Sequence, residues 1–164
     1  MSRKYLATGE SLRSLSFAFR ISHNYLSTII KSTLAELRIK LVPIFLPDSK
    51  NIDFTQKSAE FSYKWNFSNC ILTIDGKHVL IRSPSNFGSL FHNYKDFYSI
   101  VLMAMVDANY KFIVVDIGSF GKEGDSGIFL NSNMGQKILN GTFGFPEQCQ
   151  LPGSDKVAPY VISQ

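Results

Sequence analysis

The chain reads as a mixed α/β protein with a helical N-terminal portion, and three observations predict this. Leu12, Leu15 and Phe19, then Leu26, Ile29, Ile30, Thr33, Leu34 and Leu37, recur at the 3.6-residue period of helices. Two aliphatic blocks, 71–74 and 79–81, flank an Asp75-Gly76 break, and 100–106 is apolar without alternation. A glycine-rich loop and one more helical stretch precede a last apolar run, so the order after residue 69 is strand, strand, strand, helix, strand.

In chain order, Thr8-Gly9-Glu10 precedes a short helix over 11–19. Ile21-Ser22 interrupts the pattern, and Ser22 is a good N-cap for the second helix. Two helices at a tight turn have the layout of a helix-turn-helix, presenting Ser22, His23, Asn24, Ser27, Thr28 and Lys31 at the outer face of the second. Asn can pair an adenine edge, hydroxyls suit base or backbone, and Lys31 can neutralise a phosphate. An ordinary helical hairpin with a solvated polar face fits the spacing equally well, and His23 then is an uncommitted exposed residue.

Pro43 and Pro47, followed by Asp48-Ser49-Lys50-Asn51, end the helical region. The expected organisation is a helix-turn-helix region over 1–47, a linker with a short helix over 48–68, and an α/β region over 69–164. Within the second segment, 55–67 predicts a short helix with Phe61, Tyr63, Trp65 and Phe67 packing near the first strand. Residues 83–89 read as a polar loop. The run 100–106 is a strand covered on both faces, turned by Asp107-Ala108-Asn109 into a returning strand, 111–117, that carries Asp116 near its end. Residues 118–126 form the glycine-rich loop, which lacks the GKS or GKT of a Walker motif. A helix follows from about Gly127 to Leu139, with Asp125 placed to cap it, and 157–162 is the last strand.

Of the 164 residues, 45% are hydrophobic and 13% aromatic, which argues for a packed domain and against general disorder. No apolar run approaches the length of a membrane-spanning helix, and the start lacks the apolar core of a signal peptide. Cys70 and Cys149 are too far apart for a zinc or redox pair, so a reducing, intracellular setting is the default. The net charge of +4 is uneven: residues 1–47 hold seven basic and two acidic side chains, and the remainder ten and eleven. Such a basic segment suits a partner with phosphates.

Asp75 is the pivotal residue. Locally, Asp-Gly between two strand-like runs is a hairpin signal. A carboxylate at the end of a buried strand can instead hold a hard cation such as Mg²⁺ or Mn²⁺.

Taken as an ordered series, Ile74-Asp75-Gly76-Lys77-His78-Val79, Pro84, Asn93-Tyr94-Lys95, Val106-Asp107-Ala108 and 118–125 resemble the PIF/Harbinger transposases, also called DDE superfamily endonucleases. Tyr5-Leu6-Ala7-Thr8-Gly9 extends the likeness upstream. The resemblance implies a ribonuclease-H-like domain, β-β-β-α-β with a mixed sheet, present here in incomplete form. It also implies metal-dependent DNA cleavage or strand transfer, a nuclear location, DNA as partner, possible homo-oligomers and possibly a Myb-like helper protein. By resemblance Asp75 is the first of three catalytic acids that together hold two divalent ions about 3.5–4 Å apart. The second acid would follow the strand at 158–162 and the third, a glutamate, would lie tens of residues later. Neither place is filled, so the chain reads as C-terminally truncated and inactive or nearly so, with Asp125 the best internal substitute as a metal ligand. Lys77, where many relatives have threonine, would contact phosphate or face solvent, and His78 reads as a packed histidine near the site. Two rival expectations stand beside this one: a DNA-binding protein without catalysis, and a gene fragment without function.

Overall fold

The computed structural model describes residues 1–46, 48–85, 88–151 and 153–163. The chain divides into two compact units, Met1–Phe45 and Leu46–Gln164.

The first unit is three helices: α1 (Ser2–Thr8), α2 (Leu12–Phe19) and α3 (His23–Phe45). Ser11 caps α2 by accepting the Ser14 N–H at 3.2 Å, and Arg20, at φ 54°, ends it in the left-handed conformation. Ser22 Oγ then accepts the Tyr25 N–H at 3.4 Å where α3 begins. Leu15, Leu26 and Ile30 are buried at the centre, with Met1, Tyr5, Leu12, Ile21 and Leu34 around them. Pro43 does not end the helix as expected but lies inside α3. Lacking an N–H, it omits one rung of the helix ladder, the bond to the carbonyl four residues back. Pro47 lies outside the described residues.

The second unit opens with a 3-10 turn (Ser49–Asn51) and α4 (Phe54–Trp65), capped by Asp53 accepting the Gln56 N–H at 3.0 Å. The expected aromatic cluster is only partly packed: Phe61 is buried, whereas Tyr63, two residues round the helix, is 91% exposed. Trp65 is half exposed and donates its indole N–H to the Ala108 carbonyl at 3.2 Å.

Strand β1 (Cys70–Leu80) runs unbroken through Asp75 and Gly76, so the expected change of direction there is absent. Strand β2 (Ser99–Val106) is long enough to pair antiparallel with β1 from Thr73 to Leu80, and this ladder overrides the local turn signal. No residue of β2 is exposed, as its unalternating sequence implies. A four-residue helix, α5 (Gly88–Phe91), begins at the end of the predicted polar loop, of which Asn86 and Phe87 fall outside the described residues. Strand β3 (Phe112–Phe120) extends three residues beyond its predicted end. Gly118, at φ 120°, sits at a register shift between the Val101–Ser119 and Leu102–Ile117 pairs, so the first glycine of the predicted loop is a bulge.

The predicted single helix is two, α6 (Asp125–Asn131) and α7 (Asn133–Leu139). Ser132 breaks them with extended dihedrals and caps α7 through the Gly135 N–H at 3.0 Å. The last strand also divides. Around Pro159, which cannot donate to a ladder, β5 (Val157–Ala158) pairs with β4 (Cys149–Gln150), and β6 (Val161–Ser163) pairs parallel with β1. The main sheet is mixed, in the order β3-β2-β1-β6. With seven α-helices among the described residues, the chain is a mixed α/β protein. Ile71, Leu72, Met103, Met105, Ile128, Met134 and Phe143 form the centre of this unit's core.

Candidate functional site

The sheet brings Asp75 to the wall of an open cleft. Asp75 is exposed on β1 and its Oδ1 accepts the Gly76 N–H at 2.8 Å. It is therefore neither sealed in the core nor closing a bend. Asp125 lines the same cleft from the start of α6.

Asp125 does not cap its helix as expected: Gly124 is the N-cap, without a side-chain hydrogen bond, and Asp125 is the first helical residue. Its carboxylate, with no protein partner among the described residues, lies over Gly76. A Cβ built on Gly76 would stand 2.8 Å from the Asp125 Cγ. Gly76 is thus needed for room and not for a turn. Because side chains alternate along a strand, Gly76 and not Asp75 is the residue directly beneath Asp125.

Asp75, Gly76 and Asp125 share a wider part of the cleft with Lys77, His78, Tyr94, Lys95, Phe97, Lys122 and Glu123. None of the three lysines makes an ion pair among the described residues. The cleft therefore combines a carboxylate floor with a cationic rim. The sequence assigns Lys95, Lys122 and Glu123 no site role, because only the folding of the 93–97 turn and the 118–126 segment brings them to the cleft. Among the described residues, no three acidic, histidine or cysteine side chains stand together as a metal-holding group.

The other acids serve elsewhere. Asp107, in the β2–β3 turn, accepts the Asn109 and Lys111 N–H groups at 2.8 and 3.0 Å and pairs with Lys57 Nζ at 2.7 Å. Burial pushes its carboxyl up, but the Lys57 ammonium and the two backbone donors outweigh this and hold it below the ordinary carboxylate range. Asp116 is half-buried on β3, opposite Met103.

In the other unit, Ser22, His23, Asn24, Thr28 and Lys31 are exposed at the N-terminal half of α3, and Ser27 is half-buried. Thr28 Oγ1 donates to the Asn24 carbonyl at 3.1 Å, and among the described residues the Asn24 side-chain amide and the Lys31 ammonium have no protein partner.

A family profile described as DDE superfamily endonuclease matches residues 74–155, half of the chain. The chain belongs to this DDE endonuclease family. The matched stretch opens one residue before Asp75 and contains every cleft residue named above. No curated protein and no solved structure matches. DDE endonucleases act on DNA and typically use a divalent metal. The donors fit such an ion in kind: among the described residues Asp75 Oδ2 and both Asp125 oxygens have no protein hydrogen bond, and Mg²⁺ is commonly held by one or two carboxylates with water filling the rest of its shell. Bound there, the ion would supply Lewis-acid polarisation of a phosphodiester. No helix among the described residues is long and apolar enough to cross a membrane.

Proposed function

We propose that the chain is a transposon-derived, divalent-metal-dependent DNA endonuclease of the PIF/Harbinger type, with a ribonuclease-H-like catalytic region in its second unit. The observation that carries this is that Asp75 and Asp125 line one cleft together with Lys77, Lys95 and Lys122. In this reading Asp75 is the catalytic and metal-holding acid and Asp125 an auxiliary ligand. The lysines seat the DNA backbone by neutralising phosphates. The reaction is phosphodiester hydrolysis or strand transfer, in the nucleus, with a Myb-like helper and self-association as further expectations of the reading. Two carboxylates do not make the three-acid, two-ion centre of an efficient enzyme. The 1–164 polypeptide alone is therefore expected to bind metal and DNA but to cleave feebly or not at all.

The test is Mn²⁺ binding, read as paramagnetic broadening of amide signals, together with plasmid nicking. Broadening centred on Gly76 and lost in Asp75→Asn supports the reading; broadening indifferent to that change sinks it. Robust Mg²⁺-dependent nicking, abolished by Asp75→Ala, would show that the predicted inactivity is wrong.

A second reading, a DNA-binding protein without catalysis, is favoured by the polar, exposed start of α3 after a three-residue turn. Here α2 and α3 would act as a helix-turn-helix.

A further inference from the structure

We propose that Asn93 and Ser99 fix His78 as its Nε2–H tautomer, and that this N–H donates to a non-bridging phosphate oxygen of DNA in the cleft. The second half rests on the endonuclease reading above.

The orientation can be followed atom by atom. Asn93 is 4% exposed, and its Oδ1 accepts the Lys95 N–H at 2.9 Å and the Phe97 N–H at 3.3 Å. Only the amide oxygen can accept both, so Nδ2 is the atom that donates to Ser99 Oγ at 2.9 Å. Ser99 is fully buried, and its own hydroxyl proton has one described acceptor, His78 Nδ1, at 2.9 Å. Were Nδ1 to carry a proton, the buried hydroxyl would be left without an acceptor, a costly arrangement. A neutral imidazole that accepts at Nδ1 carries its proton at Nε2.

The ring is held as well as oriented. Tyr94 and Phe97 meet it edge-on, with centroids 5.6 and 6.3 Å away. Gly121 lets the chain pass close behind the relay, since a Cβ there would stand 2.6 Å from the Ser99 carbonyl oxygen. Nε2 has no protein partner among the described residues, and His78 lines the cleft with Asp75, Lys95 and Lys122. A fixed N–H donor beside a cationic rim suits a phosphate oxygen, which accepts but cannot donate. Asn93 and Ser99 are positioning residues, and His78 is the substrate contact.

The experiment uses the full chain labelled with ¹⁵N, in two-bond ¹H–¹⁵N spectra of the histidine rings at about pH 8, where an ordinary imidazole is neutral. His78→Phe assigns the resonance. The expected result is a protonated Nε2 and a bare Nδ1; a Nδ1–H form, a mixture of tautomers or a doubly protonated ring overturns the proposal. Ser99→Ala, if it folds, is expected to release the ring into a tautomer mixture, and an unchanged spectrum counts against the relay. A short duplex oligonucleotide is then added without divalent metal. Movement of both the His78 Nε2 signal and the Gly76 amide, with roughly tenfold weaker binding by His78→Phe, is expected. If Gly76 moves and His78 does not, the phosphate contact is wrong while the endonuclease cleft stands. If neither moves, both fall.

Discussion

Gly76 lies directly beneath the carboxylate of Asp125, so that a methyl group on Gly76 would stand 2.8 Å from the Asp125 Cγ. A backbone position on β1 and the first side chain of α6 therefore share one space. Gly76→Ala is expected to displace the Asp125 carboxylate while leaving β1 paired, because alanine is compatible with strand dihedrals. Mn²⁺ affinity, measured by titration calorimetry, should fall about tenfold, and Asp125→Asn should fall similarly. Unchanged affinity in both would remove Asp125 from the site.

The Lys57–Asp107 pair ties α4 to the β2–β3 turn, with the Asp107 side chain fully buried. Removing one partner leaves the other uncompensated, so Asp107→Ala should cost about 3–5 kcal/mol in urea unfolding. The double change Lys57→Met with Asp107→Leu should cost clearly less.

The same pair sets a pH window. The Asp107 carboxyl is depressed on folding, so its contribution is fully present above its unfolded value, about 3.9, and is lost as pH falls through the folded value. Burial lowers the Lys57 ammonium, but its bond to Asp107 and the nearby charges raise it on balance. Its contribution is present below its unfolded value of about 10.4 and is lost as pH rises through the folded one. Unfolding free energies measured across pH should therefore lose the Lys57–Asp107 coupling at both extremes and keep it between them.

The basic residues of the first unit predict salt-dependent DNA binding. With about five phosphates neutralised, log affinity should fall with log salt at a slope near −4 to −5, and Lys31→Ala should reduce that slope by about one. A slope near zero for the intact chain would remove the helix-turn-helix reading.

That unit has a small core, with Leu15 and Leu26 fully buried. Leu15→Ala is expected to cost about 2–5 kcal/mol and to unfold the three helices. Amide signals of residues 2–40 should collapse to random-coil positions while those of β1 and β2 persist.

Helical periodicity made α2 and α3 legible, because each buries one face, and apolar runs made the long strands legible, β2 being covered on both faces. Asp75 could be singled out for the same reason, as a carboxylate set in an aliphatic run. The sequence misled wherever a distant partner decided the local outcome. Asp75-Gly76 resembles a turn until the full length of β2 is laid beside it. Asp125 resembles a cap until Gly76 is seen to leave room for its carboxylate. Gly118 reads as loop because a bulge has no local mark beyond the glycine itself. Ser132 splits one apolar period into two helices through a cap that the pattern of hydrophobics does not register. The Asn93–Ser99–His78 chain joins residues 6 and 21 positions apart by hydrogen bonds alone, and no spacing rule announces it.

Strand β6 lies against β1 in parallel, with Cys70 beside Val161 and Thr73 beside Ser163. Two neighbours in space are thus some ninety positions apart along the polymer, with four strands and three short helices between them. Closing so large a loop is entropically slow, whereas the first unit is built from local turns. During synthesis on the ribosome the three N-terminal helices can settle early, while one flank of the Asp75 strand stays uncovered until residues 161–163 have emerged. That interval is when the nascent protein has most need of a chaperone.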